Sequence, residues 1–248
     1  MFNLSIEEGI GLLRLARPEA RNAISVDGWA ALGDAAEEAV QREARLLIVR
    51  GEPGGALSSG ADLGDFDGFA DDPVGRTAFR EEMRGGLDRV RDVPIPTIAV
   101  IEGACFGAGL ALAMACDIRF AGPGAFFAIT PAKLGISYPQ EDVHRLVALV
   151  GAGQAAQLLL TAQRIDGAEA ERIGLVEKYF EAGLAEAVNS IAGAVAANDP
   201  ESLRTLKDSI RLASTGVSQD EAQDCAYDDM LGSNAMLERL ARHRSRPR

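Results

Sequence analysis

Short apolar runs bounded by glycine or proline alternate with longer stretches in which apolar residues recur at helical spacing. The apolar runs predict short strands at 10–15, 46–49, 95–101, 118–121, 126–129 and 176–180. Ser25 is a plausible N-cap for an amphipathic helix that carries Val26, Trp29, Leu32 and Val40 on one side. Beyond residue 183 the pattern is helical throughout. We therefore predict an α/β fold with a core over residues 1–192 and a helical region over 193–248.

The junction between the strand at 95–101 and the stretch that follows is the first candidate for chemistry. Residues 103–117 read GACFGAGLALAMACD, which predicts a tight glycine turn leading into a buried helix. The first backbone N–H groups of such a helix have no intrahelical partners, and small residues allow a ligand to approach them closely. The junction therefore suits an oxygen that becomes anionic during a reaction. The same string is equally typical of a helix that crosses a sheet closely.

Charge and composition exclude several classes of function. The formal net charge of −12 argues against general nucleic-acid binding, although arginines cluster near residues 14–21 and 239–248. We expect no membrane span, because no apolar run approaches the ~20 residues that one requires. The three cysteines have no metal-type spacing and suit reduced thiols in the cytoplasm. With two histidines far apart, a histidine-based metal site is not expected.

Three stretches of sequence, in this order and spacing, carry a resemblance to a known family. They are RPEARNAIS at 17–25, LSSGADL at 57–63 and the glycine-rich string with its ending CDIRFA at 116–121. Together with IDGAEAERIGLV at 165–176, they resemble the crotonase superfamily, the enoyl-CoA hydratase/isomerase family. The likeness covers nearly the whole chain.

The resemblance implies a crotonase-like spiral of ββα units with a C-terminal helical region used in trimer packing, often in a hexamer of two trimers. It implies an acyl-CoA thioester as the ligand, so that coenzyme A enters as part of the substrate and no separate cofactor is expected. In the family, two backbone N–H groups hold the thioester oxygen, and the matching positions are Ala61 and Ala108. Residues expected to contact the CoA ester are Arg21, Ala23, Ser59, Asp62, Leu63 and Gly107.

The chain departs from the family at the two positions that hydratases fill with glutamate. Ala111 stands where the first glutamate is expected, and an ungapped alignment puts Pro131 at the place of the second. Neither side chain can transfer a proton, so hydration by the two-carboxylate route is disfavoured.

The loop at 129–138, ITPAKLGISY, is similar to the corresponding loop of methylmalonyl-CoA decarboxylases in the superfamily. Tyr138 is a candidate hydrogen-bond donor, and Glu141 is a candidate acid or base, with His144 in reserve. Loss of CO₂ generates an enolate without a base, so decarboxylation or isomerisation is favoured over hydration. Asp62 is expected to fix its turn rather than to perform chemistry.

Two alternatives stay open at this point. A paralogue that retains the acyl-CoA pocket and has lost catalysis would also carry Ala111 and Pro131. The string GAGQAA at 151–156 fits a loose dinucleotide-binding pattern, but a helix rather than a strand is predicted before it. We therefore interpret that string as a turn between two helices.

Overall fold

The computed structural model describes residues 1–245 and has the predicted α/β architecture. A six-stranded sheet runs in the order β1-β2-β3-β4-β6-β9, with β1 antiparallel to β2 and every other neighbouring pair parallel. Its strands are β1 (Phe2–Glu7), β2 (Ile10–Leu15), β3 (Leu46–Arg50), β4 (Thr97–Ile101), β6 (Ile118–Ala121) and β9 (Lys178–Tyr179).

A second, three-stranded sheet lies beside the first and is built from the short strands that follow the main ones. It comprises β5 (Ala104–Phe106), β7 (Phe126–Ala128) and β8 (Ile165–Asp166), in the order β5-β7-β8. The chain passes from β4 to β5 and then into a helix, and from β6 to β7 and then towards the next helix. Each unit thus contributes one strand to each sheet and then a helix, which is the predicted ββα pattern.

Nine α-helices occur within residues 1–245. They are α1 (Val26–Gln41), α2 (Pro73–Asp92), α3 (Ala108–Ala115), α4 (Gln140–Thr161), α5 (Gly167–Arg172), α6 (Leu184–Ala197), α7 (Pro200–Ser214), α8 (Glu221–Leu231) and α9 (Asn234–Arg244). Helix α3 is buried along its whole length, because every residue from Gly109 to Ala115 is small or apolar. Cys105 and Cys116 flank it as buried thiols, whereas Cys225 is exposed.

Both faces of the main sheet are covered, which explains the continuous apolar runs of its central strands. Alternate residues point to opposite faces, so Leu47 and Val49 join one apolar cluster while Leu46 and Ile48 join another. The first cluster includes Trp29 and Leu32 of α1 and Leu87 of α2. The second is closed by α6 through Leu184, Val188 and Ala192.

The C-terminal helices divide between the sheet and the surface. The predicted boundary at residue 192 falls inside α6, whose apolar face covers the sheet. Helices α7, α8 and α9 follow Asn198 and bury none of their residues fully. Of the C-terminal arginine cluster, Arg239, Arg242 and Arg244 lie on α9, whereas Arg246 and Arg248 lie outside the described residues.

Helix α4 is interrupted at Gly151, where φ is 76° and ψ is 161°. The GAGQAA string therefore begins at a break between two helical segments and follows a helix, as predicted. Helix α4 is the one helix within residues 1–245 that reaches the length and hydropathy of a membrane span. The break at Gly151 leaves two shorter segments, 140–150 and 152–161, each well below the ~20 residues that a span requires.

Candidate active site

A cavity of about 640 Å³ opens where three loops and the N-terminal turn of α3 meet. Peptide segments at its base are Ser59–Ala61 and Gly107–Ala108, and apolar side chains of Phe66, Phe79 and Met83 form part of its wall. The loop at 130–139 and Asp142 at the start of α4 complete the lining. The three sequence stretches that carried the resemblance thus converge on one cavity.

Polar contacts hold the first two of these loops together. The Asn22 side chain donates to Ala56 O at 2.8 Å and accepts from Arg17 N at 2.8 Å. Arg17 also donates to the Asp62 carboxylate at 2.6 Å, and that carboxylate accepts from Gly64 N. These hydrogen bonds hold the pKa of Asp62 below its usual value, with the Arg17 bond contributing most. Asp62 therefore fixes its turn, as expected, and it does not line the cavity.

The peptide N–H groups of Ala61 and Ala108 donate to no acceptor within residues 1–245. Ile24 N donates to Gly60 O and Asp62 N donates to Ile24 O, so this pairing leaves the intervening Ala61 N–H unpaired. Ala108 is the first residue of α3, and its N–H has no partner within the helix. Two half-buried N–H groups in the wall of one cavity are therefore available to a ligand oxygen.

Gly60 brings these two donors together. Its φ of +106° is a conformation that side chains disfavour. A Cβ atom at this residue would lie 3.2 Å from Ala108 N and 2.9 Å from Phe106 O. The Gly60–Ala61 peptide and the start of α3 thus approach to the width of a single atom, and the absent side chain leaves space beside both N–H groups.

The loop and α3 are fixed in this position by Ser58. Its hydroxyl accepts from Gly60 N at 3.0 Å and donates to Asn22 O at 2.7 Å, and its peptide groups bond to Ala104 and Phe106 of β5. Ser58 is fully buried, so these bonds are shielded from water. The close contact of Ser58 with Gly109 then sets the distance between the loop and the helix.

Tyr138 is part of the site, but its hydroxyl has a different role from the one expected. The phenol donates to Gly107 O at 3.0 Å and therefore has no second proton to offer a substrate. Burial raises the pKa of this phenol well above its usual value, and the nearby charge of Asp142 adds to the shift. Because Gly107 O and Ala108 N–H belong to the same peptide, the bond polarises the peptide that carries one of the two free donors.

Replacing Tyr138 with phenylalanine is expected to lower kcat by about 2–10-fold, as the loss of one neutral hydrogen bond of ~0.5–1.5 kcal/mol implies. The effect stays small because Gly107 O also accepts from Leu110 N and Ala111 N. Affinity for the ligand should not change, since the cavity retains its shape. Steady-state kinetics and calorimetric binding measurements separate the two; an unaltered kcat would show that the phenol has no part in the reaction.

The structure places Asp142, not Glu141, in the cavity. Glu141 and His144 are exposed on α4 and do not line the cavity, whereas Asp142 is fully buried and does. Asp142, Leu146 and Val150 recur at four-residue spacing on the buried face of α4, and Glu141 lies off that face. The expected catalytic carboxylate is therefore one residue later in the chain than the sequence prediction put it.

The other predicted contact residues lie where a ligand would meet them. Arg21, Ala23, Ser59, Leu63 and Gly107 all line the cavity, together with Ala61 and Ala108. Within residues 1–245 no group of three or more His, Cys, Asp or Glu side chains has a geometry suited to a metal ion. The candidate chemistry consequently involves peptide dipoles and one buried carboxylate.

Comparisons with known proteins agree with this geometry. The family model described as "Enoyl-CoA hydratase/isomerase" matches residues 5–238. The chain belongs to this family. "Probable enoyl-CoA hydratase 2, mitochondrial" of Arabidopsis thaliana is 31% identical over 95% of this chain and 79% of its own length. "Probable enoyl-CoA hydratase echA6" of Mycobacterium leprae is 34% identical over 72% of this chain and 70% of its own length.

Solved structures of the family have the same fold. The chain superposes with a TM-score of 0.92 on an enoyl-CoA hydratase/carnithine racemase from Magnetospirillum magneticum, at 29% identity over 98% of this chain and 92% of the other. An enoyl-CoA hydratase/isomerase family protein from Hyphomonas neptunium gives a TM-score of 0.88 at 35% identity, over 94% and 90%. The fold is therefore crotonase-like, as predicted.

Within this family fold, Ala111 and Pro131 occupy chemically inert surroundings. Ala111 is fully buried in the apolar cluster around α3. Pro131 lines the cavity at the start of a 3₁₀ turn that spans Pro131–Leu134. Neither can act as an acid or base, and the one fully buried carboxylate that lines the cavity within residues 1–245 is Asp142.

Proposed function

We propose that this protein is an enzyme that binds an acyl-CoA thioester and stabilises its enolate. The observation that carries the proposal is the pair of unpartnered N–H groups, Ala61 and Ala108, on either side of the space left by Gly60. A thioester oxygen placed there accepts two hydrogen bonds, and both strengthen as the oxygen becomes negatively charged. Enolate formation is the step that such a pair accelerates.

The reaction that follows is isomerisation or decarboxylation rather than hydration by two carboxylates. Hydration in that form needs one group to activate water and another to deliver a proton. Ala111 and Pro131 cannot supply them. A carbon acid reaction through the enolate requires no more than one proton-transfer group, and the similarity of the 129–138 loop to methylmalonyl-CoA decarboxylases also favours this class.

The cavity suits the two ends of such a ligand. Phe66 and Phe79 stack edge to face at 5.3 Å between ring centroids and offer an apolar surface to an acyl chain. Arg21 and Arg80 are exposed at the cavity lining, where they can pair with phosphate groups on an otherwise acidic protein. These contacts support a CoA ester rather than a free acid as the ligand.

Helices α7–α9 support the expected trimer or hexamer. They expose large apolar side chains that a monomer leaves in water, namely Leu206, Ile210, Tyr227, Leu231, Leu237 and Leu240. Contiguous exposed apolar surface of this kind is typical of an interface between subunits. Sedimentation analysis tests this assignment, and a purely monomeric species at micromolar concentration would contradict it.

A panel of three CoA esters tests the proposed function. We expect turnover of a 3-enoyl-CoA ester to the conjugated 2-enoyl ester, or loss of CO₂ from methylmalonyl-CoA, and no hydration of crotonyl-CoA above background. Chromatography with mass detection follows all three products. Tight binding of the esters without turnover of any would favour the non-catalytic paralogue, and absence of binding would contradict the proposal altogether.

A further inference from the structure

A buried cluster of charged side chains lies behind the wall of the cavity, where α2 meets α4. Arg84 donates to Asp142 Oδ1 at 3.0 Å, and Asp88 Oδ1 lies 3.2 Å from Arg84 Nε and 2.9 Å from Arg145 Nη2. Arg84 and Arg145 are only 16% and 14% exposed. A cluster so poorly hydrated is costly to maintain, and a structural role alone leaves part of it unexplained.

The unexplained part is the second oxygen of Asp142. Oδ1 is held by Arg84, but Oδ2 is buried and accepts no hydrogen bond from any group within residues 1–245. An unsatisfied carboxylate oxygen inside a protein is unusual, and one beside a ligand cavity calls for a partner on the ligand. Asp142 is the residue of the cluster that lines the cavity.

Tyr138 connects this carboxylate to the oxyanion donors. Its hydroxyl donates to the Gly107–Ala108 peptide, and Asp142 lies close enough for its charge to influence the phenol. All three residues line the same cavity. A thioester whose oxygen is held by Ala108 N–H would therefore extend its acyl carbons past Tyr138 towards Asp142.

We propose, on the basis of the proposed function, that Asp142 is the proton-transfer residue of this enzyme and that its substrate is a 3-enoyl-CoA ester. The ionised carboxylate takes a proton from C2, and the electron pair of that C–H bond moves into the thioester, which becomes a dienolate with its oxygen held by Ala61 and Ala108. The carboxylic acid then returns a proton to C4. The double bond now joins C2 and C3, and the carboxylate is regenerated.

The surroundings of Asp142 suit a group that both accepts and returns a proton. Burial raises the pKa of its carboxyl group, while the charge and hydrogen bond of Arg84 and the charge of Arg145 oppose that rise. The positive end of the α4 dipole also favours the ionised form, since Asp142 lies in the first turn. A malonyl-type substrate would bring a second carboxylate close to this one, so the site disfavours decarboxylation.

The decisive variant is Asp142→Asn, which retains the shape of the side chain and an oxygen acceptor for Arg84. We expect it to lower isomerisation of 3-hexenoyl-CoA, and exchange of the α-hydrogens of hexanoyl-CoA with D₂O, by about 10²–10⁴-fold. Its affinity for hexanoyl-CoA should stay at the wild-type value. Asp142→Glu restores a carboxylate and should recover part of both rates.

Glu141→Gln is the matched comparison, because it removes the adjacent carboxylate that faces solvent. We expect it to isomerise as the wild type does. The reverse pattern, with Asp142→Asn folded and fully active, would overturn the role of Asp142. Decarboxylation of methylmalonyl-CoA as the sole wild-type reaction, retained in Asp142→Asn, would overturn it as well and leave the enolate function standing. Absence of both turnover and exchange in the wild type would overturn the two proposals together.

Arg84 acts in this scheme as a positioning residue, and pH dependence distinguishes that role from a merely structural one. The charged groups facing Asp142 are Arg84 from α2 and Arg145 and Glu141 from α4, with Tyr138 as the nearest neutral titratable group. Activity needs the ionised carboxylate, so kcat/KM falls as pH drops through its pKa. Arg84→Gln removes the largest opposing charge and should shift this acid limb to higher pH, whereas Arg84→Lys should shift it less. A lower rate with an unmoved acid limb in Arg84→Gln would contradict the role.

Discussion

Gly60→Ala is expected to lower kcat by about 10²–10³-fold, the effect of losing one donor from an oxyanion hole. The added Cβ would lie 3.2 Å from Ala108 N, in the space through which the thioester oxygen must reach both N–H groups. It would also press on Phe106 O at 2.9 Å and move the Gly60–Ala61 peptide away from α3. Binding should weaken far less than turnover, because the CoA and acyl contacts are elsewhere in the cavity.

Gly54→Ala is the control for the backbone strain that this variant introduces. Gly54 also has a positive φ, +72°, but a Cβ there would meet no atom within 4 Å. Gly54 does not line the cavity. Both variants should therefore unfold at lower urea concentration than the wild type, while only Gly60→Ala loses kcat. A Gly60→Ala enzyme with wild-type kcat would contradict the placement of the oxyanion hole.

Gly109→Ala is expected to reduce kcat by about 10²-fold, the typical effect of moving a catalytic group by about 1 Å. The Cβ of alanine would overlap the Ser58 carbonyl oxygen and lie 2.8 Å from Ser58 Cβ. Since Ser58 is tied to β5 and to Asn22, helix α3 must move instead, and Ala108 N–H moves with it. Overpacking of this kind also costs about 1–3 kcal/mol of unfolding free energy.

Gly85→Ala is its control, because Gly85 is an exposed glycine of helix α2 at which a Cβ would meet nothing within 4 Å. There the substitution should stabilise the protein by about 0.5–1 kcal/mol, the usual helix preference for alanine over glycine. Urea unfolding and initial rates measured for both variants check the pair. If Gly109→Ala loses stability but retains kcat, the contact with Ser58 does not set the geometry of the site.

The strand, turn and helix around Gly107 are predictable from the sequence because each carries a local signal. The apolar run between Pro96 and Gly103 predicts a strand, and the structure has β4 at Thr97–Ile101. The small apolar residues after Gly107 predict a helix, and α3 begins at Ala108. Asp166 accepts from Glu169 N at 2.9 Å and so caps α5, as its place before that helix indicates. Such features depend on residues within a few positions of one another, which a single sequence displays.

Features that depend on distant contacts are not predictable in the same way. Ser25 precedes α1 as expected, but its side chain caps nothing; Asp65, which is 39 residues away, accepts from Val26 N at 2.8 Å. The role of Tyr138 follows from a bond to a carbonyl 31 residues earlier. Strand β1 is absent from the predicted strands, although Phe2–Glu7 alternates apolar and polar residues as an edge strand does.

The choice between Glu141 and Asp142 lies between these two cases. Their order in the chain favours neither, and the resemblance to the family points to the loop at 129–138 rather than to the helix that follows it. The four-residue spacing of Asp142, Leu146 and Val150 is nevertheless a signal in the sequence for the buried face of α4. That spacing by itself indicates that Asp142 lies inside the protein and that Glu141 faces water.

A crystal structure with a bound saturated acyl-CoA, such as hexanoyl-CoA, tests the central claim most directly. The account predicts that the thioester oxygen lies within hydrogen-bond distance, about 2.7–3.2 Å, of both Ala61 N and Ala108 N. The acyl α-carbon should then face Asp142. A thioester oxygen that bonds to water or to a side chain, with the two peptide N–H groups left without a ligand, would contradict it.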